Sequence, residues 1–302
     1  MTTPPSIRPR RGVAFVLVLW VVAMLTILLG SFSMVARTEQ LQSHHLFDST
    51  RARYAAEAGI DLAVFEMRQS DPTARWVADG RPYRFMFNDA QLEVSLIDDS
   101  GKIDINSANT DILTGLFMSH GATPDQAAAL ADAVQDFRDP DDLKRPNGAE
   151  IDDYKAAGLP YGPINGPFDT VGEIQQVLGM TYDLYQRIEP ALTIYSGRSM
   201  PNLAFAPADV LEAFPGVTPD FAEQLVEQRH ALSPSDIAAA GLTLPDGTAI
   251  VAGSGGLTYS VTSRAQLPNG AHTEIRATIR LGGNDVSGRP YTTLRWQDGE
   301  KS

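Results

Sequence analysis

The chain of 302 residues contains no cysteine. Disulfides, thiolate metal sites, iron–sulfur clusters and cysteine nucleophiles are thereby excluded. Positive charge is scarce, with 24 Lys and Arg against 37 Asp and Glu, a net charge of −13. General binding to nucleic acid or anionic lipid requires clustered positive charge, so the balance argues against it and leaves only a local basic patch open. Histidine is sparse: His44, His45, His120, His230 and His272 form no H-E-x-x-H pair and no other zinc spacing. There is no G-x-S-x-G elbow, Walker loop or dinucleotide fingerprint, and Gly253-Ser254-Gly255-Gly256 lacks the Lys-Ser/Thr of a phosphate loop. Long apolar runs are also missing, with one exception. Hydrophobic residues make up 43% of the chain, enough for a sizeable core.

The exception is Val13 to Ala36, 24 consecutive uncharged positions. As a helix this run reaches about 36 Å, against ~30 Å of bilayer hydrocarbon. Arg8, Arg10 and Arg11 precede it, which predicts a cytoplasmic N-terminus and an exported remainder. Three readings compete: a secretory signal cut near Ser31-Phe32-Ser33, a plain single-span anchor, and a short leader cut after Gly12 that leaves Val13 as the new N-terminus. The last would discard three arginines and take the net charge from −13 to −16. Beyond the run, Leu41, His45, Phe47, Tyr54, Ala58, Leu62, Phe65 and Met67 recur at helical spacing and predict the packed face of a continued helix, ended by Pro72.

The body reads as α+β. Residues 84–87 and 92–97 predict two strands joined at Asn88-Asp89, and 257–265, 274–281 and 291–296 predict three more, with Pro268-Asn269-Gly270 as a hairpin turn and 296–302 frayed. Between them, 102–248 is mainly helical, so the organisation is an antiparallel sheet interrupted by a helical insertion. The divisions are 1–12, 13–36, 37–101, 102–248 and 249–302. The insertion carries a weak repeat: Asp111-Ile112-Leu113 before Gly121-Ala122-Thr123-Pro124, and Asp209-Val210-Leu211 before Gly216-Val217-Thr218-Pro219. Both halves look like helix-hairpin-helix units. Such units bind DNA phosphates through a Gly-rich hairpin backed by Lys or Arg. Here Pro215-Gly216-Val217-Thr218 lacks a second Gly, and Asp125, Asp132, Asp136 and Asp139 surround the first hairpin. A structural use of the motif fits better than a membrane-anchored DNA-binding or uptake protein.

Residues 132–153 hold eight acidic side chains and three basic ones. Carboxylates converging on one loop repel unless a cation sits among them, and hard oxygen donors suit calcium. Placing Asp139 first in an EF-hand loop puts Asp141 third and Glu150 twelfth, but Leu143 and Lys144 then occupy the fifth and sixth positions, where a ligand and a Gly belong. The loop is not an EF-hand; a solvated acidic loop is the alternative. A glycosidase-like carboxylate pair could also hide here, yet nothing separates an acid from a base, which leaves an anchored calcium-dependent hydrolase without a motif.

Arg10-Arg11-Gly12 followed by the apolar run resembles the prepilin leaders of type IV pilins and type II secretion pseudopilins, cut after the Gly and methylated on the new amine. Those chains carry Glu at the fifth mature position, where this one has Leu17. That departure, with Asp136-Phe137-x-Asp139-x-Asp141, Gly148-Ala149-Glu150, Tyr154, and the blocks at 168–174, 178–181 and 193–196, resembles the minor pseudopilin K family. The resemblance implies a pilin-like long helix packed on the antiparallel sheet, and a non-enzymatic subunit at the tip of the type II secretion pseudopilus that initiates its assembly and aids export. It implies cleavage at Gly12, methylation at Val13, and one or two structural calcium ions. The ligands would be Asp136, Asp139, Asp141, Glu150 and Asp153, with Asp142 and Asp152 in reserve and Asp132 a helix-surface residue. The partners would be the I and J minor pseudopilins, with H a further candidate, the major pseudopilin and the prepilin peptidase. The place would be the bacterial inner membrane, spanned once, with the body in the periplasm.

Overall fold

The computed structural model describes residues 12–71, 74–233, 236, 240–251, 255–282 and 290–299. The leader arginines, Pro72, Gly253-Ser254 and residues 300–302 lie outside these.

Helix α1 (Gly12–Met67) runs unbroken for 56 residues. From Ala14 to Ala36 its side chains are exposed, Trp20 at 67% and Leu19 at 60% among them. This is the one helix among the described residues long and apolar enough to cross a membrane. The C-terminal half packs on a five-stranded antiparallel sheet of order β1-β2-β5-β6-β7. The strands are β1 (Asp79–Phe87), β2 (Ala90–Asp98), β5 (Thr258–Gln266), β6 (His272–Leu281) and β7 (Tyr291–Asp298). Alternation turns Leu92, Val94 and Leu96 of β2, Val261 and Ala265 of β5, and Ile275, Ala277 and Ile279 of β6 toward the helix. The fold is thus the expected long helix on an antiparallel sheet with added helical content.

Several expectations need correction. The packed face of α1 is Ala52, Ala55, Ala56, Gly59, Ile60, Ala63 and Val64, whereas Phe47, Tyr54 and Phe65 are 60–65% exposed. Small residues let the helix lie close to the sheet: a Cβ on Gly59 would overlap Ser263 Oγ. β1 begins at Asp79, earlier than predicted, because an irregular register between Asp79 and Pro82 hides its alternation. Residues 296–298 are paired to β6 and are not frayed.

The sheet has two ends. Arg51 Nη2 of α1 donates to both carboxylate oxygens of Asp89, at 2.8 and 2.7 Å, and Asn269 donates to Asp48 at 2.6 Å. Both hairpin turns therefore face the apolar half of α1. At the opposite end the chain leaves β2 and returns to β5, its neighbour in the sheet. Asp98 fastens this junction, accepting from Ser100 N and from Gly256 N, both at 2.8 Å. Asp99 accepts from Thr193 Oγ1 at 2.8 Å and Ser260 Oγ at 2.7 Å, tying insertion to sheet.

The described residues between them build a second core. It contains α2 (Thr110–Ser119), α3 (Pro124–Arg138), α4 (Ile151–Ala156), α5 (Tyr182–Ile188), α6 (Ala208–Leu211) and α7 (Pro219–His230), with 3-10 turns at Val171–Gln176 and Glu189–Ala191. A parallel pair that the sequence did not suggest, β3 (Ile103–Asp104) and β4 (Leu192–Thr193), joins its two halves. Both Thr-Pro pairs start helices: Thr123 caps α3 with a reciprocal Gln126 bond, and Thr218 caps α7. A buried charge cluster clamps α7 to the sheet. Arg229 is fully buried and donates to the carbonyls of Leu203 (3.0 Å), Ala206 (2.8 Å) and Asp79 (3.2 Å). Arg81 pairs with the Asp79 carboxylate at 2.7 Å. Burial pulls the Arg229 guanidinium down to about 10.

Candidate functional site

The acidic loop is positioned by the end of α3 and the start of α4. Phe137 anchors that end, stacked on Phe168 with centroids 5.0 Å apart. Arg138 donates to the carbonyls of Ile105 and Ala108 and to Gln135 Oε1. Its hydrogen bonds are therefore committed to the insertion core. Asp136, on the last turn of α3, is fully buried. It accepts from the Arg145 backbone N–H at 3.3 and 3.2 Å, and the Arg145 Nε lies 3.4 Å away. Asp139, the C-cap of α3, stands 3.8 Å from Arg145 Nη2, with its Oδ1 buried and without a partner. Gly148 crosses directly over Asp136; a Cβ there would overlap the carboxylate Oδ2, so only glycine fits.

Glu150 is the most unusual group. It is 7% exposed, and neither carboxylate oxygen has a hydrogen-bond partner. Burial pushes its carboxyl up to about 7, with further push from Asp136, Asp139, Asp142 and Asp141. Burial likewise raises Asp136, helped by Asp139, and raises Asp139, helped by Asp141. A field of this sign around orphaned buried oxygens favours a cation.

Not all predicted residues share that field. Asp153 is held at the start of α4, pairing with Lys144 at 2.6 Å and accepting from Glu150 N at 2.9 Å. The Lys144 hydrogen bond and that N–H hold its carboxyl below the ordinary range. Asp152 is exposed beside Lys155, at 3.1 Å. Asp142, placed in reserve by the sequence, is among the groups acting on Glu150. Asp132 is not a helix-surface residue: it is 8% exposed and accepts from the backbone and side-chain N–H of Asn147, both at 3.1 Å. Asn165, which the sequence reading missed, donates to Asp142 at 2.9 Å and leaves a buried carbonyl oxygen unpaired. Only the Asn165-Gly166 pair, a loop signal, could have flagged it. Among the described residues, no three Asp, Glu or His side chains are arranged to hold a metal ion as they stand. The donor chemistry fits a hard divalent ion, and Asp141 and Asp142 stand in the exposed loop 140–147 beside the buried Asp136 and Glu150.

Residues 87–197, which include the whole acidic loop, match the family model for type II secretion system (T2SS), protein K. The type II secretion system protein K of Klebsiella pneumoniae is 26% identical over 202 residues, covering 60% of this chain and 61% of that protein. That of Dickeya chrysanthemi is 23% identical over 280 residues, covering 74% and 78%. A putative protein K of Escherichia coli K12 is 25% identical, covering 61% and 62%. The chain thus spans about three fifths of the length of two of these relatives. The fold is similar to a chain in the solved complex of GspK, GspI and GspJ from enterotoxigenic Escherichia coli, with TM-score 0.50 and 18% identity over 88% of this chain and 99% of the other. The chain carries the domain of type II secretion system protein K over residues 87–197 and is a relative of that family.

Proposed function

We propose that this chain is a non-enzymatic minor pseudopilin that ends a periplasmic pseudopilus, anchored by α1 in the inner membrane after cleavage at Gly12 and methylation of Val13. The observation that carries the reading is topological. The insertion replaces the β2–β5 hairpin turn at the end of the sheet opposite the apolar half of α1. A subunit docking its helix from below meets α1; one docking from above meets the insertion. Leu17 supports the same reading, because a Glu here would pair with an amine of a neighbouring subunit. In the enterotoxigenic Escherichia coli complex GspK is assembled with GspI and GspJ, and we assign the corresponding I and J subunits as partners here, with the major pseudopilin below them.

Nucleic-acid binding is disfavoured by charge: residues 102–248 hold 22 acidic and 8 basic side chains. Calcium fits the acidic loop, held by Asp136, Asp139, Asp141, Asp142 and Glu150, where it would neutralise the carboxylates and stiffen the link from α3 to α4. Asp153 is better placed as the residue that fastens α4. The test is co-purification of the full-length chain with its I and J subunits from detergent-solubilised membranes, with calcium and with chelator. Recovery of a ternary complex is expected. Failure to recover either subunit under both conditions overturns the tip reading.

A further inference from the structure

Arg145 is the basic side chain whose ion pairs reach into the cluster: Nε is 3.4 Å from Asp136 and Nη2 is 3.8 Å from Asp139. The other nearby cations direct their hydrogen bonds and ion pairs elsewhere. Arg138 is spent on carbonyls of the insertion core, and Lys144 pairs with Asp153. The Arg145 side chain is 42% exposed, so it can swing into water without opening a void. Its backbone N–H holds Asp136 independently of the guanidinium. Glu150, by contrast, has no partner on either oxygen. One guanidinium therefore screens two of the carboxylates and leaves a third uncompensated.

We infer that Arg145 is a built-in counter-ion: it faces one oxygen each of Asp136 (Oδ1) and Asp139 (Oδ2), must swing out before those two oxygens can ligate a divalent cation, and thereby weakens the affinity of the loop for that cation. The inference rests on the calcium reading of the loop. The physics is competition for the same lone pairs. An Asp136 lone pair facing a guanidinium is not open to a small hard ion, and the two like charges repel at that separation. In exchange, the loop keeps a partner for its carboxylates whenever calcium is low, so the insertion stays folded while the site is empty of metal.

The test uses the full-length mature chain in detergent micelles, with Arg145→Gln beside Lys155→Gln. The second removes the same charge from an exposed pair with Asp152 and controls for net charge. Calcium affinity is measured by titration calorimetry, and melting is followed with and without chelator. Arg145→Gln should tighten calcium binding by about tenfold, the size of a lost competing ion pair of ~1.4 kcal/mol. The same variant should melt lower than the parent in chelator and at least as high in calcium. Lys155→Gln should change affinity less than about twofold. Unchanged or weaker calcium binding by Arg145→Gln, against a parent that binds, overturns the counter-ion. A parent that binds no calcium overturns the metal reading itself, and equal melting of parent and Arg145→Gln in chelator then overturns the counter-ion as well.

Discussion

Gly148 and Glu150 lie two residues apart and make opposite demands on Asp136. Gly148 lets the backbone press onto its carboxylate; Glu150 adds a second buried negative charge to the same neighbourhood. Gly148→Ala should displace Asp136 and destabilise the protein by about 1–3 kcal/mol, as overpacking of a tight site does. Chemical denaturation reads this, and the calcium-induced rise in melting should shrink with it. Glu150→Gln keeps the shape and removes the charge. In alkaline chelator buffer, where this carboxyl is ionised above its value of about 7, the variant should melt above the parent, because a buried unpaired carboxylate has been relieved. In calcium the order should reverse, because a ligand has been lost. A variant melting below the parent in both buffers would mean that Glu150 has a partner within the protein. At this scale the sequence was informative about chemistry and less so about geometry. The Asp-rich spacing located the loop, but which carboxylates turn inward depends on where Lys144, Arg145 and Asn165 reach, and no spacing encodes that.

Elements were legible where periodicity was strong. β2, β5 and β6 alternate, and both Thr-Pro pairs open helices, since a side-chain cap and a fixed proline φ act locally. The facing surface of α1 is not legible from its large residues, because its packed stripe is built mainly of small ones. Contact with a sheet at close range selects Ala and Gly, and Phe47, Tyr54 and Phe65 are left outside. The β3–β4 pair, two residues each, has no period to read. Nor does sequence reveal that Arg229 of α7 meets Asp79 of β1, 150 residues earlier. Burial alone would raise the Asp79 carboxyl; the Arg81 hydrogen bond and charge, with His230 and Arg229, outweigh it and hold it below its ordinary 3.8. A carboxyl lowered in the folded state binds fewer protons there than in the unfolded chain. Its contribution is therefore complete above pH 3.8 and disappears as pH falls through the folded value. Asp79→Asn should lower stability at neutral pH and flatten the acid limb of the stability curve, measured by denaturant titration across that range. A parallel acid limb in variant and parent would place the acid-sensitive group elsewhere. Arg229→Met should cost about 3–5 kcal/mol, because Asp79 loses a buried partner and three carbonyls lose their donor.

For the whole molecule, the decisive relation is between the two ends of the sheet. Asp98 closes the base of the insertion by accepting from Gly256 N, and β2 and β5 are antiparallel neighbours. The ends left by removing residues 102–254 are thus already at hairpin distance, and a short Gly-containing turn can join them. The helix-on-sheet core contains no insertion residue, so this shortened chain should fold, with strand content retained by circular dichroism. It loses the Arg229 clamp and should be less stable than the parent. Its upper surface is then open. On the proposed tip reading, Leu17→Glu would supply a partner for a neighbouring subunit's amine, and the shortened chain that carries it should enter pseudopilus filaments along their length. The full-length chain should be confined to one end. Immunogold labelling of sheared filaments distinguishes these outcomes. Label that stays at one end for the shortened chain would mean that the exposed face of α1, and not the obstruction built into the β2–β5 turn, fixes where this subunit sits.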